Sequence, residues 1–165
     1  MSLTHIQTLL NYNYWAHHQL FGCLHTISET DFLADSDYSS GSMQVQLVHI
    51  MWAEATWYAR LHDQPRPPFT AEDYPTLHEI KTKWQAIETD WRTYIASLSL
   101  SDLNTRYDIT PYTGNPYHAT VQEIIAHVVN HGTNHRAQIL QHIHNAGGQT
   151  FEQDMSRYFR ERNSS

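Results

Sequence analysis

Apolar residues recur at helical spacing in four long stretches, and the polar stretches between them carry the signals that end helices. Over residues 3–27 the apolar positions are Ile6, Leu9, Leu10, Leu20, Leu24 and Ile27, with Thr4 and Gln7 placed to form a capping box. A second helix is expected over Met43–Leu61: Ser42 offers an N-cap, and Val45, Val48, Trp52, Ala55 and Ala59 mark its buried face. Gln64-Pro-Arg-Pro-Pro68 closes it, because proline has no amide donor and restricts the residue before it. The third stretch, residues 77–98, opens on a Thr76/Glu79 capping box. It steps alternately by three and four through Leu77, Ile80, Trp84, Ile87, Trp91, Tyr94 and Leu98, the seam of a left-handed bundle. The fourth opens on Thr120 and Glu123, is apolar over residues 121–143, and stops at Gly147-Gly148.

The intervening segments are less regular. Residues 28–41 read as a long polar connection. In residues 98–120, Tyr107, Ile109 and Tyr112 ahead of Thr113-Gly114-Asn115 suggest a hairpin, which Pro111 and Pro116 limit to edge-like pairing. Residues 153–162 read as a short solvated helix made locally basic by Arg157, Arg160 and Arg162. The pattern predicts an all-α fold: a single domain over residues 1–165, built as a four-helix bundle with a short C-terminal helix. The connections are longer than an up-down-up-down bundle needs, so some cross the length of the bundle.

Composition narrows the function classes. Of 165 residues, 40% are hydrophobic and 16% charged, which places the chain among folded globules. A net charge of −7 argues against nucleic acid as a partner, since neutralising phosphates takes clustered Lys and Arg. No run of 18 apolar residues and no charged-then-apolar leader is seen, so neither a membrane span nor a secretory signal is expected. The single cysteine, Cys23, excludes an internal disulfide and lies off the apolar stripe; it reads as structural, in a cytoplasmic protein.

Thirteen histidines are the anomaly. Three of them, His127, His131 and His135, recur every four residues in the last helix. Neighbours at that spacing can share a metal ion, but His127 and His135 are about 12 Å apart along the axis, so only one adjacent pair can form the clip. On a helical wheel Val121, Ile125, Val128, Gly132 and Ile139 give the buried direction; His135 falls within it, His131 at its edge, and His127 toward solvent. His131 and His135 are the better clip, with His127 a supporting or surface residue. His49, expected near the buried face of the second helix and shielded from water, is the natural third ligand. Three nitrogens plus an open position is the arrangement of catalytic zinc, although imidazoles suit nickel, copper and iron too. No HExxH occurs, so the general base of that protease class is missing. In the first helix Asn13 and His17 extend the apolar stripe with polar residues, which marks either a bundle end or a polar pocket.

Tyr12-Asn-Tyr-Trp-Ala16, Leu47-Val-His49-Ile-Met-Trp-Ala-Glu54 and Val128-Val-Asn-His131-Gly-Thr-Asn-His135-Arg-Ala-Gln138 together resemble the DinB (damage-inducible) and YfiT-like superfamily over nearly the whole chain. The resemblance implies an up-down-down-up bundle with a divalent metal on three histidines and open water positions; the matching positions here are His49, His131 and His135. It implies zinc or nickel first, with iron or manganese as alternatives, and a homodimer as one possible assembly. Characterised relatives include S-transferases that use low-molecular-weight thiols such as bacillithiol, and a mycothiol-dependent maleylpyruvate isomerase.

The expectation is therefore a metal-dependent enzyme of thiol S-transferase type acting on a small electrophile, with Asn13, His17, His127 and Gln138 as pocket or supporting groups. A metal-dependent hydrolase and a non-catalytic stress-related metal-binding or scaffold bundle are the alternatives.

Overall fold

In a computed structural model, which describes residues 1–35, 41–111 and 113–164, the four apolar stretches are four long helices: α1 (Leu3–Leu24), α3 (Met43–Leu61), α4 (Leu77–Ser97) and α5 (Val121–Asn145). Two short ones, α2 (Glu29–Leu33) and α6 (Met155–Asn163), two 3-10 turns (Ala71–Asp73 and Asp102–Asn104) and two strands, β1 (Arg106–Ile109) and β2 (Tyr117–Thr120), complete the regular structure among the described residues.

The capping residues decide where each helix begins. Ser42 accepts the Val45 amide, and the Thr76/Glu79 and Thr120/Glu123 boxes are both formed. At the first helix the cap is Ser2, whose hydroxyl accepts from the His5 amide, and not Thr4, which lies within the helix. Ser28 caps α2 through the Asp31 amide inside what the sequence presents as an unbroken connection; the rest of that connection includes residues outside the described set. The last long helix ends at Gly147, whose φ of 77° is the left-handed conformation that glycine adopts without strain.

Each of α1 and α3 packs against both α4 and α5. The first two long helices are thus diagonal. Side-chain pairs give the directions. The Met1 amino group reaches Gln122 and Gln149 N–H reaches Thr26, so α1 and α5 run the same way. His49 meets His131 while Trp57 meets His127, so α3 opposes α5. Glu54 meets Trp84 and Tyr58 meets Tyr94, which sets α4 along α3. The core lies between them: Ile6, Leu20, Leu47, Ile50, Met51, Ile80, Trp91, Ile125 and Ile139 are closed to solvent.

The hairpin pairs antiparallel in the register Arg106↔Thr120 to Ile109↔Tyr117 and runs directly into α5. Tyr107 O–H donates to the Leu61 carbonyl and Ile109 is buried, so the hairpin is pinned across the end of α3. Tyr112, counted in the sequence as part of this excursion, lies outside the described residues. Helix α6 is not a free solvated element: Tyr158 is buried with Tyr12, Ala16 and Val129, and Trp15 N–H donates to Glu161. Among the described residues no helix is long and apolar enough to cross a membrane.

Candidate metal centre

Helices α3 and α5 meet along a seam on which three histidines converge. One ligand-capable nitrogen from each of His49, His131 and His135 lies within 4.8 Å of the others, and His49 Nε2 is 3.2 Å from His131 Nε2. The clip follows from helix geometry, since His131 and His135 are one turn apart on α5 with ring centroids at 4.5 Å. His49 completes it from the opposing helix, its ring 4.7 Å from His135. Two imidazole nitrogens on one tetrahedral zinc at ~2.0–2.1 Å sit roughly 3.3 Å apart, so the His49–His131 spacing fits a shared ion. His135 Nδ1 is buried with no hydrogen-bond partner.

Burial holds the three rings in the neutral form that ligates. It pushes His131 down to about 3, helped by the neighbouring His135, His49 and His127, and it lowers His49 and His135 as well. The sequence placed His49 in a shielded position, but its side chain is exposed at the mouth of the seam. The reason is a rotation of the α3 face. Leu47, Ile50, Met51, Glu54 and Trp57 point inward, Val45 is exposed, and Trp52 and Ala55 are only half-buried.

Beside the cluster a cleft of about 190 Å³ runs along α3, lined from His49 through Trp52 and Thr56 to Arg60, and walled by Trp57, His127, His131 and hairpin residues including Ile109 and Tyr117. His127 is exposed, with its ring 5.9 Å from His131 and 5.0 Å from Trp57, so it belongs to the cleft wall and not to the three-nitrogen cluster. Gln138 is half-buried one turn past His135 and makes no hydrogen bond to the cluster among the described residues.

Behind the cluster, on the core side of the same two helices, lies a closed polar network. Glu54 is 1% exposed; its Oε1 accepts from Asn13 Nδ2 at 2.8 Å, and its Oε2 accepts from Trp84 Nε1 at 2.8 Å and the Tyr14 hydroxyl at 3.2 Å. Arg136, fully buried, donates to Asn13 Oδ1 at 2.7 Å and to Thr133 and Gln153. Asn13 therefore links a buried carboxylate to a buried guanidinium, each charge meeting several hydrogen-bond partners. Burial pushes Glu54 up to about 7 against the pull of its donors and of Arg136. His17 is packed against Trp84 at 4.2 Å, and burial, then the Arg136 charge, drives its pKa well down. At 3.7 Å from Glu54 a neutral ring forms no ion pair, and neither ring nitrogen has a partner. Gly132 makes room for all of this: a Cβ there would stand 2.8 Å from Arg136 Nη1 and 2.9 Å from Asn13 Oδ1.

With the site in view, the comparisons place the chain. The family model of the DinB family matches residues 1–163. The chain belongs to the DinB family. Among solved structures, this DinB-family chain is similar to a conserved protein from Enterococcus faecalis, with a TM-score of 0.66 at 12% identity, covering 87% of this chain and 96% of that one. It is also similar to a DinB-like protein from Bacillus cereus, with a TM-score of 0.60 at 15% identity over 87% and 94% of the two chains. At such identities the likeness establishes the fold alone. No curated protein matches.

Of the residues singled out in the DinB-family sequence, His49, His131 and His135 come together, while Asn13 and His17 lie in the buried polar region behind them. Spacing in the sequence gives no site role to Glu54, Arg136, Thr56 or Arg60, and marks Trp84 only as a seam residue. The available signal for Glu54 was a carboxylate in step with Leu47, Ile50 and Met51 on the inward stripe of α3, and for Arg136 its place next to an inward-facing histidine.

Proposed function

We propose that this DinB-family protein holds a divalent metal ion on His49, His131 and His135 and is an enzyme of thiol S-transferase type, joining a low-molecular-weight thiol to a small electrophile. The observation that carries the reading is the convergence of three neutral imidazoles from two helices at the head of a cleft. A bound ion of this kind supplies Lewis acidity, which favours thiolate over thiol at neutral pH. Zinc or nickel suits the donor set.

The chain's own residues supply placement. His131 and His135 are fixed by the α5 backbone, which the Gly132 contact with Asn13 and Arg136 holds against α1. Trp52, anchored by its N–H to the Pro67 carbonyl, and Trp57 give the cleft apolar walls that exclude water from a bound electrophile. Transfer is favoured over hydrolysis by the distribution of carboxylates. No Asp or Glu is among the described residues lining the cleft, and the buried Glu54 is committed to Asn13, Tyr14 and Trp84. A water nucleophile would lack the carboxylate base that such chemistry uses.

Elemental analysis of purified protein, alongside His49→Ala and His131→Ala, tests the metal. Near-stoichiometric metal in the parent and its loss in both variants is expected; undiminished metal in both would refute the site. Metal-loaded protein is then assayed for conjugation of a panel of small thiols to a generic electrophile such as a chlorodinitroarene. Turnover that disappears with chelator supports the enzyme, and metal without turnover across the panel favours a binding or scaffold bundle.

A further inference from the structure

The cleft beside the histidines has a chemical polarity of its own. Its floor is one face of α3, with His49 at one end, Thr56 in the middle and Arg60 at the other. At 1.5 Å per residue the end positions are about 16 Å apart at the backbone. Arg60 shortens that span by folding back over Trp57, its guanidinium carbon 4.5 Å from the ring centroid, as arginine side chains on helices lean toward the N-terminus. Across the cleft, burial and then the Arg60 charge lower the pKa of His127.

Three features of this cleft point to one class of ligand. The chain carries a net charge of −7, yet the described lining residues include an arginine and three histidines and no acid. Two carboxylates, Asp63 and Asp108, line an adjoining depression that shares Arg60 and Ile109 and adds Arg106. Thr56 is the second feature. Thr8, Thr82, Thr89, Thr93 and Thr133, all within long helices, each donate their hydroxyl to the carbonyl four residues back. The Thr56 hydroxyl makes no such bond, though the residue is 3% exposed and lines the cleft. A buried hydroxyl without a partner is costly; its oxygen is closed to solvent, and a rotation about χ1 toward the cleft would let a ligand atom satisfy it. Third, the space is small and its walls are aromatic. At about 190 Å³ it is below the ~300–1,000 Å³ typical of pockets for drug-sized molecules.

We infer that the cleft takes a small, flat organic anion whose carboxylate is held by Arg60 and the Thr56 hydroxyl, with its other end directed at His49 and His131. The planar middle of the molecule lies against Trp52 and Trp57. Arginine suits this role because its planar fork matches a carboxylate and its face stacks on an indole at the same time. The inference rests on the metal reading for the far end of the ligand, and on Arg60 and Thr56 alone for the near end.

The test uses 4-(sulfanylmethyl)benzoate and its primary amide, which share the thiol and the ring and differ in charge. Dissociation constants for zinc-loaded protein are measured by calorimetry, with zinc content determined in each preparation. The carboxylate is expected to bind about tenfold to a hundredfold more tightly than the amide, the range of a hydrogen bond to a charged group. Arg60→Gln should remove that preference without lowering zinc content, Arg60→Lys should keep part of it, and Thr56→Val should reduce carboxylate affinity severalfold. Thermal melts identify any variant that fails to fold, and Arg60→Lys then carries the comparison. Equal affinity of the zinc-loaded parent for acid and amide would overturn the inference and leave the metal site standing. If the parent binds no zinc, the function proposed above fails separately. In that case plain benzoate and benzamide are compared on the metal-free protein: an Arg60-dependent preference for benzoate upholds the anion subsite, and its absence overturns it.

Discussion

Glu54→Gln is the substitution for which the structure gives both a sign and a size. The carboxyl is 1% exposed and its pKa is raised from 4.5 to about 7, with burial the largest cause. Between those values the native state retains a proton that the unfolded chain has released. Stability therefore falls as pH rises from about 4.5 to about 7, and the whole penalty is present above that. At 1.36 kcal/mol per pKa unit, the loss attributable to this group between pH 5 and pH 8 is on the order of 2–3 kcal/mol. Glutamine cannot titrate. It also cannot accept from Asn13, Trp84 and Tyr14 together, because its amide nitrogen would face a donor, so the variant carries its own cost. That cost does not vary with pH, and the buried histidines titrate in both proteins. The difference between parent and variant therefore isolates Glu54. Urea unfolding followed by tryptophan fluorescence, at pH 5, 6, 7 and 8 with chelator present, should show the parent losing on the order of 2–3 kcal/mol relative to Glu54→Gln across the range. Parallel pH profiles would mean that Glu54 titrates near its ordinary value, and the account of a strained buried carboxylate would be wrong.

Three other perturbations bear on the same architecture. Gly132→Ala drives a methyl into the Asn13–Arg136 contact and should cost about 1–3 kcal/mol, read as a drop in urea midpoint; an unchanged midpoint would show that the two helices have slack. Trp84→Phe keeps the ring but deletes the strongest donor holding Glu54 ionised, so it should destabilise by about 1–3 kcal/mol and move the Glu54 pH window upward in the assay above. Zinc at a hundred times its dissociation constant should stabilise the parent by about 2.7 kcal/mol, reversibly with chelator, and leave His131→Ala unmoved; equal stabilisation of both would place the metal elsewhere.

The long helices were legible because their signals are local. Ser42, the Thr76/Glu79 box and the Thr120/Glu123 box act within four residues, and each marks a helix start in the structure. The misreadings came where two signals of equal local quality competed. Thr4 with Gln7 looks like a box, but Ser2 caps two residues earlier, and the Ser28/Asp31 pair that opens α2 was hidden among other turn residues. The inward face of α3 was misjudged for a different reason. Val45, Trp52 and Ala55 are apolar, but the face is set by three neighbours at once, and packing against α4, α5 and α2 turned Leu47, Ile50 and Glu54 inward instead.

That same rotation explains why half of the site could be read and half could not. The His131/His135 clip is a property of one helix, so spacing revealed it, and one further histidine on a facing helix was enough to complete the cluster. Glu54 and Arg136 carry no such local mark, because each is tolerable in the core only through the other. Without Arg136 behind Asn13, the buried carboxylate would lose the nearby positive charge that offsets its desolvation; without Glu54, the guanidinium would be a buried cation with neutral partners. Their pairing spans 82 positions and passes through an asparagine on a third helix, a relation that only the folded chain contains. It also places rigidity where the cluster needs it. On α5 each histidine of the candidate clip is followed at once by a network residue, Gly132 after His131 and Arg136 after His135, so the backbone that aims the two rings is held by the core and not by the cluster itself.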